Sequence, residues 1–138
     1  RGIDAWLKCH LAFVLTICFA VYASGGDLRK IAGNKPFINK VIDAIDEAYQ
    51  MLVACGVAME PPDSLDYVRN QRAKCYRLIK VMAATPLGRL AASDHAMNAK
   101  DEMCFLYQGF YLFKEWAGIP TPAWDELEKH MNAIALML

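Results

Sequence analysis

The chain has 138 residues, 15 acidic and 15 basic side chains, and a hydrophobic share of 56%. This length fits one domain with a sizeable core. The balanced charge argues against nucleic acid as a partner, because that affinity rests mainly on clustered Lys and Arg that neutralise phosphates. No stretch pairs a Lys/Arg-rich face with a strongly apolar one, so we expect no membrane partner. The high apolar share predicts that another domain or a second copy of the chain covers part of the surface.

The first predicted element is a helix that is apolar on every side, because residues 11–23 carry no charge. Such a helix must be buried all round. The charge-free run reaches only about 20 Å, short of the ~30 Å of hydrocarbon in a bilayer, so we expect a central core helix. It should begin near Asp4, a plausible N-cap, and end at the Ser24-Gly25-Gly26 turn.

The next elements are also helical, and no alternating run typical of a strand is present. Asp27 can cap a short helix over residues 28–32, and Pro36 suits the first turn of a longer helix that ends at Gly56. Three acidic residues of that longer helix are expected to face solvent: Asp43, Asp46 and Glu47. Residues 57–62 form a connector, because a double proline disfavours a continuous helix.

The second half of the chain is predicted to hold one long helix from Asp63 or Ser64 to about Ala84, with its basic residues 69–77 on a solvated face. A short, irregular, partly helical segment follows over residues 87–99. Asp101 and Glu102 favour the start of a further helix, which ends at Gly118. A last helix covers residues 124–137. The prediction is a single all-α domain of six or seven helices over residues 1–138.

Cysteine usage indicates a reducing compartment. The five cysteines are far apart, odd in number and without a CxxC pair: Cys9, Cys18, Cys55, Cys75 and Cys104. Neither a zinc framework nor a secreted disulfide scaffold has this pattern, so we expect free thiols and a cytoplasmic protein. No signal peptide is predicted, because Asp4 interrupts the positively charged start that one requires.

Lys8 and His10 are the first candidate functional residues, since both lie at the N-terminal end of the apolar run. Two residues apart on a helix, their side chains point about 160° away from each other. In a purely structural interpretation, Lys8 extends along the helix end to reach water and His10 packs. In a functional interpretation, Lys8 donates to a carbonyl or carboxylate substrate and stabilises a developing oxyanion. Both interpretations stay open at this point.

A second group of polar residues contains Asp94, His95, Asp101 and Glu102. It lacks the HExxH or ExxH spacing of a metal site, and capping and loop hydrogen bonds explain Asp94 and Asp101, so we expect no metal. Gly25-Gly26 follows a helix and not a strand, so it is no dinucleotide-binding fingerprint. Glu126 and His130 are predicted to form a surface pair. One aromatic run is assigned to the core or an interface: Phe105, Tyr107, Phe110, Tyr111 and Phe113.

A spaced pattern runs through nearly the whole chain. It comprises Trp6-Leu7-Lys8, Gly25-Gly26-Asp27-Leu28, Ala54-Cys55-Gly56, Asp101-Glu102, Gln108-Gly109-Phe110 and Gly118-Ile119-Pro120-Thr121-Pro122. Over about residues 3–131 this pattern resembles the C-terminal helical domain of the ketopantoate reductase family, which has the 6-phosphogluconate dehydrogenase C-terminal-domain-like fold.

The resemblance implies a partner that the chain lacks: an N-terminal Rossmann domain that binds NADPH, while the helical domain completes the cleft and often forms a homodimer. Lys8 matches the family's catalytic lysine, a general acid and substrate anchor. The family's two asparagines on the same helix fall on Ala12 and Thr16. Glu102 matches the acidic site residue after a one-residue shift, and Asp101 after two.

From the resemblance we expect Lys8 and Glu102 to be catalytic, and His10, Thr16 and Asp101 to bind substrate. The chain would be the substrate-side domain of an NADPH-dependent 2-keto acid reductase, inactive by itself. Its substrate stays open, because the asparagines that would position ketopantoate are absent. The alternative is a stand-alone helical module for dimerisation or interaction, without catalysis.

Overall fold

The computed structural model describes residues 2–136. All regular structure within these residues is helical, without a strand, which confirms the all-α prediction. The principal helices are α1 (Gly2–Ala23), α2 (Lys35–Ala54), α3 (Ser64–Arg69), α4 (Arg72–Ala84), α5 (Lys100–Ala117) and α6 (Pro122–Leu136). A 3-10 helix (Leu28–Ile31) joins α1 to α2, and short helical turns, one of them a π-helical turn over Arg89–Asp94, join α4 to α5.

The helix α1 lies at the centre of the fold, packed against α2, α5 and α6. Its second half is buried, with Leu15, Phe19 and Val21 at 0% exposure, so the apolar run is a core helix as predicted. The helix is longer than that run, because it continues through Lys8 to Gly2 and spans 22 residues. In the described part of the chain it is the one helix long and apolar enough to cross a membrane, a test that the core helix of a globular protein also passes.

Local signals fix several helix ends where the sequence predicts them. The Asp27 carboxylate accepts the Arg29 N–H at the start of the 3-10 helix, at 3.0 Å. Asn34 caps α2, where its side-chain oxygen accepts the Phe37 N–H at 3.1 Å. Gly118 ends α5 in the left-handed conformation with φ of 60°, which a residue without Cβ adopts at little cost.

The prediction of one long helix from residue 63 or 64 to 84 is wrong, because the chain turns between α3 and α4. The Asp66 carbonyl accepts the backbone N–H groups of Asn70 and Gln71. The Asp66 carboxylate accepts their side-chain amides, at 2.7 and 3.0 Å. The hydrogen bonds of the Asp66 side chain thus compete with those of a continued helix, and α3 ends.

Arg69 and Arg72 pair with α2, which corrects the prediction of a solvated face for these two residues, whereas Lys74 and Arg77 are exposed as predicted. The Arg72 guanidinium donates to Asp43 at 2.7 Å and to the Asn39 carbonyl at 2.9 Å. Arg69 forms a two-pronged pair with Asp46 at 3.0 Å. Asp43 and Asp46, expected to face solvent alone, therefore join α2 to the helices that follow it.

Glu47 is the third acidic residue of α2 with an unpredicted role, since it caps another helix. Its carboxylate accepts the backbone N–H groups of Ala123 and Trp124 at 3.2 and 2.7 Å. These are unpaired donors in the first turn of α6, and a negative charge is favourable there. Burial nevertheless raises the pKa of Glu47, outweighing the two hydrogen bonds that lower it.

Candidate functional site

The N-terminal end of α1 projects apolar side chains into solvent, although the second half of the same helix is buried. Ile3 is 74% exposed and Leu7 is 54% exposed. Trp6 stacks on His10, with ring centroids 4.8 Å apart and planes 7° from parallel. Aromatic and aliphatic groups exposed together in this way are typical of a surface that another molecule covers.

Lys8 lies on this end of α1, where its ammonium pairs with the Asp4 carboxylate at 2.6 Å. The hydrogen bond and charge of Lys8 lower the pKa of Asp4. The two side chains are 34% and 67% exposed, so the pair adds little to stability. As the spacing predicts, Lys8 and His10 have different neighbours. Lys8 can leave Asp4 for a ligand at small cost.

Thr16, a predicted substrate-binding residue, lies in the core. It is 0% exposed, and its hydroxyl donates to the Ala12 carbonyl at 2.8 Å. This bond inside the helix satisfies the hydroxyl, so the structure gives Thr16 no contact with a surface where substrate could bind.

Asp101 and Glu102 lie exposed in the first turn of α5, where the helix dipole favours negative charge. They border a depression of about 420 Å³ together with Asn98 and Lys100. The structure therefore brings these two acidic residues together, as the sequence predicts.

Lys8 and Glu102, the predicted catalytic pair, lie at opposite ends of α1. The Cys9 thiol contacts the Ala58 carbonyl at 3.8 Å, whereas the Tyr22 hydroxyl donates to the Ala96 carbonyl at 2.9 Å, shortly before α5 begins. From residue 9 to residue 22 the helix advances roughly 20 Å. Lys8 and Glu102 therefore do not form one site within this domain, and their catalytic roles stay predictions.

Between α5 and α6 the structure assembles a charged cluster that the sequence analysis missed. Glu128 is only 6% exposed. One of its oxygens accepts the Tyr107 hydroxyl at 2.6 Å and the other accepts the Lys114 ammonium at 2.7 Å. Lys114 also pairs with Asp125 at 2.7 Å, and the Asp125 carboxylate accepts the Thr121 hydroxyl at 2.9 Å.

The electrostatics of this cluster follow from burial and pairing. Burial raises the pKa of Tyr107 far above its usual range, and the hydrogen bond to Glu128 raises it further. Burial alone would lower the pKa of Lys114, but hydrogen bonds to Asp125 and Glu128 outweigh it and raise the pKa. Burial alone would raise the pKa of Asp125, but Lys114 and Thr121 together lower it.

The cluster borders a cavity of about 330 Å³, which Gln108, Tyr111 and Asn132 also line. The phenol of Tyr107 has one hydrogen-bond donor, which it uses in the bond to Glu128. We therefore assign the Asn132 side-chain atom 3.2 Å away as the amide nitrogen, which donates to the phenol oxygen. Each charged group already has a partner of opposite charge. The arrangement therefore joins α5 to α6 and leaves no unpaired charge that could act on a ligand.

Helical spacing could have revealed this cluster. Tyr107 and Lys114 are seven residues apart on one face of α5, and Asp125, Glu128 and Asn132 share one face of α6. Residue type alone predicts that the aromatic residues lie in the core or at an interface, and spacing predicts only the Glu126–His130 pair on α6. Glu126 instead pairs with Lys40 of α2, which accounts for most of the lowering of its pKa.

Metal and thiol chemistry receive no support from the described residues. Between residues 2 and 136 no group of three or more His, Cys, Asp or Glu side chains could hold a metal ion. The five cysteines are free, and four of them are buried. No family model, curated protein or solved structure matches the chain.

Proposed function

We propose that this chain is the substrate-side helical domain of a ketopantoate reductase-like, NADPH-dependent oxidoreductase, and that the N-terminal end of α1 faces the cofactor-binding domain. The observation that supports this is the exposure of Ile3, Trp6 and Leu7 near Lys8, on a helix whose second half is buried. A partner domain that covered these side chains would remove apolar surface from water and enclose the ammonium.

NADPH does not fit the described residues of this chain. The described part contains no strand from which a dinucleotide-binding loop could start. The Gly25-Gly26 turn follows a helix and not a strand, and the side chain of Met97 packs against it, 2.9 Å from where a Cβ on Gly26 would lie. The proposal therefore assigns the cofactor mainly to the Rossmann domain.

Lys8 supplies the chemistry in this proposal. When bound in the Rossmann domain, NADPH would supply the hydride that adds to the carbonyl carbon of a 2-keto acid. Once enclosed, the Lys8 ammonium would donate a hydrogen bond to the carbonyl oxygen and then a proton to the alkoxide that the hydride addition leaves. The Trp6–His10 stack lies on the other side of the helix from Lys8, so in this proposal it contacts the cofactor-binding domain and not the carbonyl group of the substrate. The reaction at this end of α1 uses neither Thr16 nor Glu102, which lie elsewhere.

The test is NADPH oxidation by the protein in which this domain is joined to its Rossmann domain, with a panel of 2-keto acids. Lys8→Ala should lower kcat at least 100-fold, because general-acid and oxyanion stabilisation are worth about that much or more. The affinity for NADPH should stay unchanged. Lys80→Ala, at an exposed lysine of α4, is the matched control and should turn over normally. Normal turnover of Lys8→Ala would remove Lys8 from the mechanism.

The second candidate function is a helical dimerisation module, and one observation favours it. Phe105, Leu112 and Trp116 are 75%, 45% and 68% exposed, and their spacing places them on one face of α5. At about 150–250 Å² for a whole aromatic side chain, Phe105 and Trp116 expose roughly 300 Å² per chain. Two copies would cover less than the ~1,200 Å² of a standard interface, so this face alone supports only a weak dimer.

Sedimentation equilibrium tests this candidate on the 138-residue chain. If the module is a dimer, Phe105→Ser combined with Trp116→Ser should convert it to a monomer. Because the expected dimer is weak, the measurement extends to about millimolar protein, and a monomer even there would reject dimerisation through α5. A dimer that survives the double substitution would place the contact on another surface.

A further inference from the structure

A groove of about 350 Å³ lies where the first turns of α2 and α4 meet, away from the site proposed above. It is lined by Lys35, Asn39, Arg72, Ala73, Tyr76 and Arg77. Lys35 begins α2, and the opposite end of α2 precedes Ala58, which contacts Cys9 beside the proposed site. A helix of 20 residues, about 30 Å long, therefore separates the two surfaces.

Two of the cations in the groove have no acidic partner. Lys35 and Arg77 are exposed, and among the described residues no carboxylate lies within ion-pair distance of either. The third cation, Arg72, pairs with Asp43 at 2.7 Å. Three positive charges and one negative charge leave a surplus of two, in a protein whose formal net charge is zero.

Arg72 is held in a fixed orientation. Its Nε donates to the Asn39 side chain at 3.1 Å, and its Nη2 donates to the Asn39 carbonyl and to Asp43. These three bonds use the donors of Nε and Nη2 and leave the two N–H groups of Nη1 for a ligand. A guanidinium that is already ordered loses little entropy when it binds an oxyanion.

An adjacent acidic groove differs from the basic groove in that its charged groups are paired. That groove, of about 480 Å³, shares Asn39 with the basic one. Its carboxylates are satisfied internally: Asp43 and Asp46 by arginines, Glu47 by backbone N–H groups and Glu126 by Lys40. Internal pairing therefore accounts for the acidic groove but leaves the basic groove with unused donors.

We propose that the basic groove binds a small phosphate-bearing molecule, with Arg77, Lys35 and Nη1 of Arg72 donating to its phosphate oxygens. A phosphate dianion matches the surplus of two positive charges and accepts several charge-assisted hydrogen bonds at once. The half-buried ring of Tyr76 forms one wall, against which the remainder of the molecule would lie. This site is independent of the proposed reductase function.

The experiment is a titration of the 138-residue chain with pyrophosphate at low salt, followed by calorimetry and by amide chemical shifts. We expect saturable binding, with shift changes confined to the first turns of α2 and α4. Arg77→Gln should weaken binding at least tenfold, and Lys35→Gln several-fold. Lys74→Gln removes the same charge from an exposed position on α4 outside the groove and should weaken binding less than twofold.

Three results would overturn the proposal. One is the absence of saturation up to 10 mM pyrophosphate. Another is an equal loss of affinity in Lys74→Gln and Arg77→Gln, since that would indicate general charge attraction. The third is equal affinity for acetate, which would show that the groove does not select a dianion. Unchanged circular dichroism in each variant keeps these outcomes separate from misfolding.

Discussion

Replacing Lys114 by Met measures how much the charged cluster between α5 and α6 contributes to the free energy of unfolding. The substitution keeps the length and apolar stem of the side chain but leaves one Glu128 oxygen without its cation. Removing one partner of a buried ion pair costs about 3–5 kcal/mol. The side chains of Lys114 and Glu128 are 21% and 7% exposed, so water compensates in part and we expect a loss of about 2–3 kcal/mol.

The pH dependence gives the same substitution a specific signature. In the native chain the raised pKa of Lys114 stabilises the fold fully at neutral pH, and that contribution is lost only as the pH rises above the usual lysine range. Lys114 and Thr121 also lower the pKa of Asp125, and the stability that this gives is present above the usual aspartate range and is lost as the pH falls through it. Without Lys114 most of that contribution is absent, so the stability deficit of the variant should shrink as the pH falls from 7 to about 3.

Urea denaturation followed by circular dichroism at both pH values measures these free energies. Lys129→Met is the matched control, because Lys129 is exposed on α6, and it should cost less than about 0.5 kcal/mol. Adding Glu128→Gln to Lys114→Met should restore part of the loss, since the amide still accepts the Tyr107 hydroxyl. Equal losses at Lys114 and Lys129, or a deficit that does not change with pH, would refute this reasoning.

Three further predictions concern local structure. Gly88→Ala should destabilise the fold by about 3 kcal/mol in thermal unfolding, because its Cβ would lie 2.3 Å from a backbone oxygen of α4. Gly109→Ala should stabilise the fold by up to about 1 kcal/mol, because its Cβ would meet no atom within 4 Å. Similar effects of the two substitutions would contradict this. Glu47→Ala should cost about 1 kcal/mol in urea denaturation through loss of the α6 cap, and a neutral result would show that burial of the charge cancels the cap. Iodoacetamide at pH 8 should label partly exposed Cys55 before buried Cys18, because burial raises the pKa of Cys18 to about 12. Mass spectrometry follows the order of labelling, and faster labelling of Cys18 would contradict the packing of α1.

The elements that the sequence predicts correctly depend on residues close together in the chain. Asp27 caps the 3-10 helix two residues away, Pro36 lies in the first turn of α2, and Gly118 ends α5 at its own position. Each of these signals acts within one helical turn, so the sequence contains all the information that it requires.

The features that sequence reasoning missed depend on packing. Asp43 reaches Arg72 across 29 residues, and Glu47 reaches the N-terminus of α6 across 77 residues. The same holds for the candidate site, since the distance between Lys8 and Glu102 depends on which end of α1 lies beside α5. Local periodicity predicts both helices but does not determine how they pack.

Hydrogen exchange tests the central claim, that the N-terminal end of α1 is the surface covered by a cofactor-binding domain. The measurement compares backbone amides in the 138-residue chain with those in the protein that joins it to a Rossmann domain. The proposal predicts new protection over residues 2–10 and no change along the exposed face of α5. Unchanged exchange over residues 2–10, or new protection confined to residues 105–116, would contradict it.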